Sequence, residues 1–419
     1  INAVTIYALY ATPESMGDSA QRVWLTVFYF AWGITYTLMD IPFWSMIPAI
    51  TEPGSDREQL TSLARTCSGI GDAIPTVLTM TVVPILGAGS SMADYRIGFK
   101  WWALIIAVVF VISELVCVVC VPERPVACDE KPGKISDMFK ALFKNDQAMT
   151  VVVSIILVYT SLNICGNLVL YFFRFDVGNE GAYSIFAAVA FAAQVLVMMV
   201  IPLLRKRFSK SQLFISGFII QIAGFAVILI MAFAKLYTPQ SWYILCLPGI
   251  LIYLGYGMLN VIMTIFLSDS VDYGEVMNGT REESVIFSMQ TFTVKLASGI
   301  AVFLAGLVVD WINLDTAAAV QTQDTLDALR MWMTFPSVIL LIVGIFVFKR
   351  FYKLDDTRME EIKSKLNKKL IGVFRFVYKN KKRPCMNAWA NFYFLSFFCA
   401  VESISLIRFS WFTSEAPGS

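Results

Sequence analysis

Histidine is absent from the 419 residues. That absence excludes Ser-His-Asp triads, Cys-His dyads, histidine-ligated zinc or haem, and any histidine proton relay. Charge is scarce too: Asp, Glu, Lys and Arg make up 15% of the chain, and the net charge is +2. Soluble domains carry about 25% charged residues, and a net charge this small offers no field for nucleic acid. Nucleophile elbow, P-loop and GxGxxG signatures are all missing, so no enzyme is indicated and no cofactor is expected. The eight cysteines are scattered. Cys117 and Cys120 form a CxxC, but inside the run VISELVCVVCV they read as core thiols rather than a redox or metal site. The chain starts at Ile1 without a signal-peptide pattern and reads as the inside of a longer protein.

What is present is apolar: 57% hydrophobic residues and a mean hydropathy of +0.67. A lipid-spanning helix needs about 20 apolar residues. The sequence predicts a partial helix at 1–11 and spans near 21–50, 59–86, 98–121, 148–173, 182–204, 211–235, 242–268, 284–309 and 328–350. These runs are too long for barrel strands, so the expected fold is all-α and integral to the membrane. Lysine and arginine concentrate in 122–147, in RKRFSK at 205–210 and after 351, while the alternating connections hold almost none. By the positive-inside rule the basic connections face the cytoplasm. Six helices follow the long connection 122–147. A two-half transporter bundle is expected, with 1–121 as the remainder of the first half, 148–351 as the second and the substrate site between them. Residues 352–371 place Leu354, Met359, Ile362, Leu366 and Leu370 at helical spacing with lysines opposite, as in a basic amphipathic helix on the cytoplasmic leaflet. The extension 372–419 is apolar and aromatic but interrupted by Glu402 and Arg408. It reads as an added span, an interfacial helix or the product of a disrupted reading frame, with a true span slightly less favoured.

Polar groups inside spans cost roughly 2.5–3.5 kcal/mol per charge, so each needs a partner or a use. Tyr36, Asp40 and Trp44 are four apart in FAWGITYTLMDIPFWSMIPAI and share one helix face. A carboxylate beside aromatic rings suits a sugar: it accepts two hydroxyl hydrogens while a ring covers the C–H face. Simple pairing of Asp40 with a base on another helix is the competing reading. Arg65 either completes this wall or snorkels to the interface. Lys295, with Thr291 and Gln290 on the ninth span, supplies a base on the other half. Asn163 and Asn167 could line a cavity or bond between helices. Glu114 has no assigned role.

The stretch ITYTLMDIPFWSMIPAIT (34–51) resembles the fourth-helix motif of the glycoside–pentoside–hexuronide:cation symporters, the melibiose permease family of the major facilitator fold. SDSVDYGEVMNGTREESVIFSMQTFTVK (268–295) is similar to that family's connection between its tenth and eleventh helices, and FKNDQ (143–147) fits the end of its central loop. The resemblance implies sugar contacts at Asp40, Trp44, Tyr36 and Arg65, opposed by Lys295, Thr291 and Gln290. Thr37 would lend an oxygen to a Na⁺ or H⁺ site. A cytoplasmic gate would form from Asp269, Asp272, Glu275 and Arg281, although a solvated turn is the simpler reading of those charges. Residues 1–121 would be family helices 3–6, so two helices and the main cation carboxylates are expected upstream of Ile1. The expected function is sugar:cation symport by alternating access in the plasma membrane. The alternatives are a lipid or lysolipid carrier of the same fold, or a non-transporting remnant.

Overall fold

The computed structural model describes residues 1–13, 16–51, 53–89, 92–120, 140, 143–279, 283–315, 318 and 320–374. Among these every regular element is helical. The helices are α1 (Asn2–Tyr10), α2 (Asp18–Ile50), α3 (Ser55–Gly87), α4 (Met92–Cys120), α5 (Asp146–Tyr171), α6 (Ala182–Leu204), α7 (Lys210–Phe233), α8 (Cys246–Asn278), α9 (Glu283–Trp311), α10 (Gln323–Phe351) and α11 (Asp356–Phe374). A π-helical turn, Phe172–Val177, extends α5, and a 3₁₀ turn, Trp242–Leu245, precedes α8. Among the described residues, seven helical stretches are long and apolar enough to cross a membrane, from α4 through α10. Helices α2 and α3 have the length of spans, at 33 residues each.

Two compact units emerge: Ile1–Met46 with Leu63–Arg124, and Ile47–Ser62 with Pro125–Lys382. In the first, Ile6, Leu9 and Tyr10 of α1 pack with Trp32 and Tyr36 of α2 and with Ala103, Ile106 and Ala107 of α4. The spacing of the α4 residues is that of one helix face. Cys117 lies buried farther along α4 as a free thiol, in line with its reading as a core residue; the side chain of Cys120 is outside the described residues.

In the second unit α8 is the central element, and every residue from Gly255 to Asp272 is buried. Without a hydrophobic driving force between helices in lipid, association depends on close backbone approach at small residues. Helices α7 and α8 achieve it at Gly217 and Gly255. A Cβ on Gly255 would lie 2.6 Å from the Gly217 carbonyl oxygen and 2.7 Å from the Gln221 nitrogen. Both are backbone atoms, so the axes must part. Gly255→Ala is therefore expected to destabilise the protein by about 1–3 kcal/mol, the usual cost of overpacking, read as a lower melting temperature in detergent. An unchanged melting temperature would show that the crossing has slack.

The apolar stripe of the tail helix corrects one expectation. Leu354, Met359, Ile362 and Leu366 form a buried cluster with Tyr273, Val276 and Tyr352. The stripe is spent on protein contact with the end of α8, not on the lipid leaflet. The side chain of Leu370 and the extension beyond 374 lie outside the described residues.

Candidate functional site

Three side chains on α2 and one on α3 form a single cluster in the first unit. Asp40 Oδ1 accepts from the Trp44 indole nitrogen at 2.9 Å and from the Tyr36 hydroxyl at 3.3 Å. The four-residue spacing brings these groups together, since i and i+4 stack on a helix face. Arg65, two and a half turns into α3, lays its guanidinium over the Trp44 ring, 3.7 Å from the centroid. All four side chains are more than 90% buried. Arg65 thus does not snorkel; its charge rests on a π-face beside a carboxylate. Trp32 continues the aromatic wall, its ring 5.6 Å from that of Tyr36. Such a cluster offers a ring face, a charged acceptor and a charged donor inside an apolar helix pair. Thr37, half-buried on α2, donates to the Gly33 carbonyl at 2.8 Å, which leaves its oxygen with acceptor capacity.

The second unit holds the other predicted residues. Gln290 and Thr291 are buried on α9, and Lys295 is half-buried one turn on. Gln290 Oε1 has no hydrogen-bond partner among the described residues. Asn163 and Asn167 turn their amide nitrogens back onto the carbonyls of Tyr159 and Asn163 in their own helix. Neither amide nitrogen is used between helices.

At the end carrying the basic connections, Asp269 and Asp272 are 2% and 1% exposed. They are not in a solvated turn. Both pair with a residue the sequence reading did not single out, Arg57, itself 1% exposed at the start of α3. Its guanidinium pairs with Asp272, lies 3.7 Å from Asp269, and donates to the carbonyls of Thr51 and Ser268. Lys210 adds a second cation to Asp269 at 2.6 Å. Arg205 forks onto Glu58, with both bonds at 2.9 Å, and reaches Asp356 of α11 at 3.2 Å. Burial pulls the Arg205 pKa down, but the hydrogen bonds and charges of Glu58 and Asp356 outweigh it, and the net shift is upward. Glu275 is half-buried on the last turn of α8, and Arg281 lies outside the described residues. The signal for Arg57 was available in PGSDRE at 53–58, a turn holding a base and acids one residue apart.

FKNDQ acquires a structural meaning beside this network. Asn145 caps α5 by accepting from the Ala148 nitrogen and donates to the Ser270 carbonyl at 2.8 Å. Gln147 accepts from the Lys353 nitrogen at 2.7 Å and donates to the Phe351 carbonyl at 3.3 Å. Gly274 gives Asn145 room, since a Cβ there would sit 2.9 Å from its amide nitrogen.

At the opposite end of the second unit, Asp176 takes two guanidinium bonds from Arg330 and one from the Tyr237 hydroxyl. This clasp, absent from the sequence reading, joins the π-helical turn, the connection after α7 and the start of α10.

Comparison with known proteins places these features in a family. Two solved structures share the fold: a bacterial homologue of the iron transporter ferroportin in an outward-facing state (13% identity, TM-score 0.55, 84% of this chain and 80% of that one) and the E. coli fucose:proton symporter (14%, 0.55, 82% and 81%). The chain is 26% identical over 380 residues to the raffinose carrier protein of Pediococcus pentosaceus, covering 88% of this chain and 58% of the relative. It is 22% identical to the lactose permease of Lactobacillus delbrueckii subsp. bulgaricus, over 87% of this chain and 58% of the relative. With the isoprimeverose transporter of Lactiplantibacillus pentosus it shares 25% identity, over 82% and 70%. The chain thus spans well under two thirds of the length of the first two carriers. The profile of MFS/sugar transport proteins matches residues 1–356. On that match, and in keeping with the two motifs read from the sequence, this multi-pass membrane chain belongs to the MFS/sugar transport protein family.

Proposed function

We propose that the protein carries a glycoside or short oligosaccharide across the plasma membrane together with Na⁺ or H⁺, by alternating access. The observation that supports this most is the buried Tyr36–Asp40–Trp44–Arg65 cluster. Its carboxylate accepts sugar hydroxyls, its guanidinium donates to them, and its indole covers the apolar face of a ring. In the second unit, Gln290, whose buried Oε1 lacks a partner among the described residues, and the neighbouring Thr291 and Lys295 are further polar groups available to a sugar. The relatives carry raffinose, lactose and isoprimeverose by name, and each is a multi-ring sugar. Arg57, Asp269, Asp272 and Lys210 act as the cytoplasmic gate in this reading, together with Glu275 and Arg281. The first four form a buried ion-pair network whose members regain water when it opens. The experiment is counterflow of labelled raffinose and lactose in proteoliposomes without an ion gradient. Saturable counterflow of at least one sugar is expected; none for either, with correctly inserted protein, would overturn the assignment.

A further inference from the structure

Two asparagines of α5 have no part in the cluster or the networks described above. Asn163 and Asn167 follow Tyr159 at successive four-residue steps, so the three side chains form one row along the helix. All three are half-buried, and Gly166, on the same side of the helix, is exposed. A Cβ on Gly166 would meet no atom of another element within 4 Å among the described residues, so open space lies beside the row. The row straddles the midpoint of the 32-residue apolar stretch Asp146–Val177. Amides facing hydrocarbon at mid-depth are costly, so this face of α5 belongs to a water-filled path rather than to lipid.

Hydrogen bonds fix what each member of the row presents. Asn163 and Asn167 donate their amide nitrogens, both at 2.8 Å, to the carbonyls of Tyr159 and Asn163 in their own helix. Their Oδ1 atoms accept nothing from the described residues and remain as acceptors. Tyr159 is oriented from α8. Its oxygen accepts from the Asn260 amide nitrogen at 3.1 Å, and its ring stands edge-on to Tyr256 with 5.6 Å between centroids. Asn260 is 7% exposed and donates also to the Tyr256 hydroxyl at 3.2 Å. The Tyr159 hydrogen is thereby left without an acceptor among the described residues. The row thus offers one donor and two acceptors, all uncharged, over about 12 Å of helix axis. A cation would find the oxygens but also meet the phenol hydrogen. Hydroxyl groups, each donor and acceptor at once, satisfy all three.

We propose that Tyr159, Asn163 and Asn167 form an uncharged sugar-hydroxyl subsite of the second unit, with Asn260 as the residue that positions Tyr159. The row is longer than one pyranose ring, so it suits a disaccharide or a longer chain. Gly166 lets such a ligand approach the helix backbone closely. This inference rests on the carrier reading and deepens it, since it assigns part of the sugar's recognition to neutral groups that the charged cluster on α2 and α3 does not contain.

Counterflow of lactose and raffinose in proteoliposomes, measured against sugar concentration, separates the two. Asn163→Leu and Asn167→Leu keep the side-chain size but lose the acceptor. Each should raise the half-saturating concentration about threefold to tenfold, the worth of one neutral hydrogen bond, with an unchanged melting temperature. Tyr159→Phe removes a single oxygen, should act alike, and carries the test if a leucine variant melts early. Asn260→Leu should raise the half-saturating concentration in the wild type yet add nothing to Tyr159→Phe, because it acts through that phenol. Additive effects would overturn its positioning role. Gly166→Leu should abolish counterflow by filling the open space, whereas a leucine facing lipid would change nothing. Undiminished counterflow in Gly166→Leu would overturn the subsite, as would wild-type half-saturation in Tyr159→Phe and both asparagine variants. Absence of counterflow in the wild type would overturn the carrier reading, and this inference with it.

Discussion

Arg57→Ala is expected to destabilise the protein by about 3–5 kcal/mol, the cost of leaving buried charges without their partner. Asp269 and Asp272 are almost fully enclosed, and without the guanidinium only Lys210 remains near Asp269. The Thr51 and Ser268 carbonyls lose a donor as well. Thermal melting in detergent should show a large drop, partly reversed by Asp272→Asn, which removes one stranded charge. Conservative Arg57→Lys should not restore full stability, since an ammonium cannot reach two carbonyls and a carboxylate in one plane. A melting temperature equal to wild type for Arg57→Ala would show that this network adds nothing to the fold.

Sugar binding should fall about tenfold to a hundredfold in Asp40→Asn, the loss of one charge-assisted hydrogen bond worth about 1.5–3 kcal/mol. The amide oxygen can still accept from Trp44 and Tyr36, so the local geometry and the melting temperature should change little. Trp44→Phe keeps a ring beneath Arg65 but deletes the indole donor, and should weaken binding less than Trp44→Ala. Titration with raffinose and lactose by intrinsic fluorescence or calorimetry reads both series. Wild-type affinity in Asp40→Asn would remove the carboxylate from the sugar site, whatever the protein transports.

Much of this was legible in the sequence because lipid simplifies the rules. Long uncharged runs can only be helices, and a charge within one is conspicuous, so Asp40 and its neighbours at i±4 stand out in the sequence itself. Arg65 was ambiguous because its depth alone could not distinguish snorkelling from stacking; the answer depended on where α3 packs beside Trp44. Arg57 escaped notice for the opposite reason. It lies in the polar first turn of α3, where charges are ordinary, and only its distant partners on α8 make it a buried residue. The α11 stripe was found correctly by period but given the wrong neighbour, since a helical apolar face does not say whether lipid or protein will cover it. The Asp176–Arg330 clasp joins residues 154 apart in sequence, beyond the reach of any local pattern.

The enclosure of the Arg57–Asp272 network also makes ionic strength act on only one side of its opening. While the charges are buried, counterions cannot approach, and the pairs are nearly indifferent to salt. Once separated in water they are screened over about 8 Å at physiological ionic strength. Added salt therefore stabilises the separated charges without weakening the joined ones. Where such a network is the gate, as proposed above, the conformational balance is set partly by the surrounding electrolyte, before any substrate has bound.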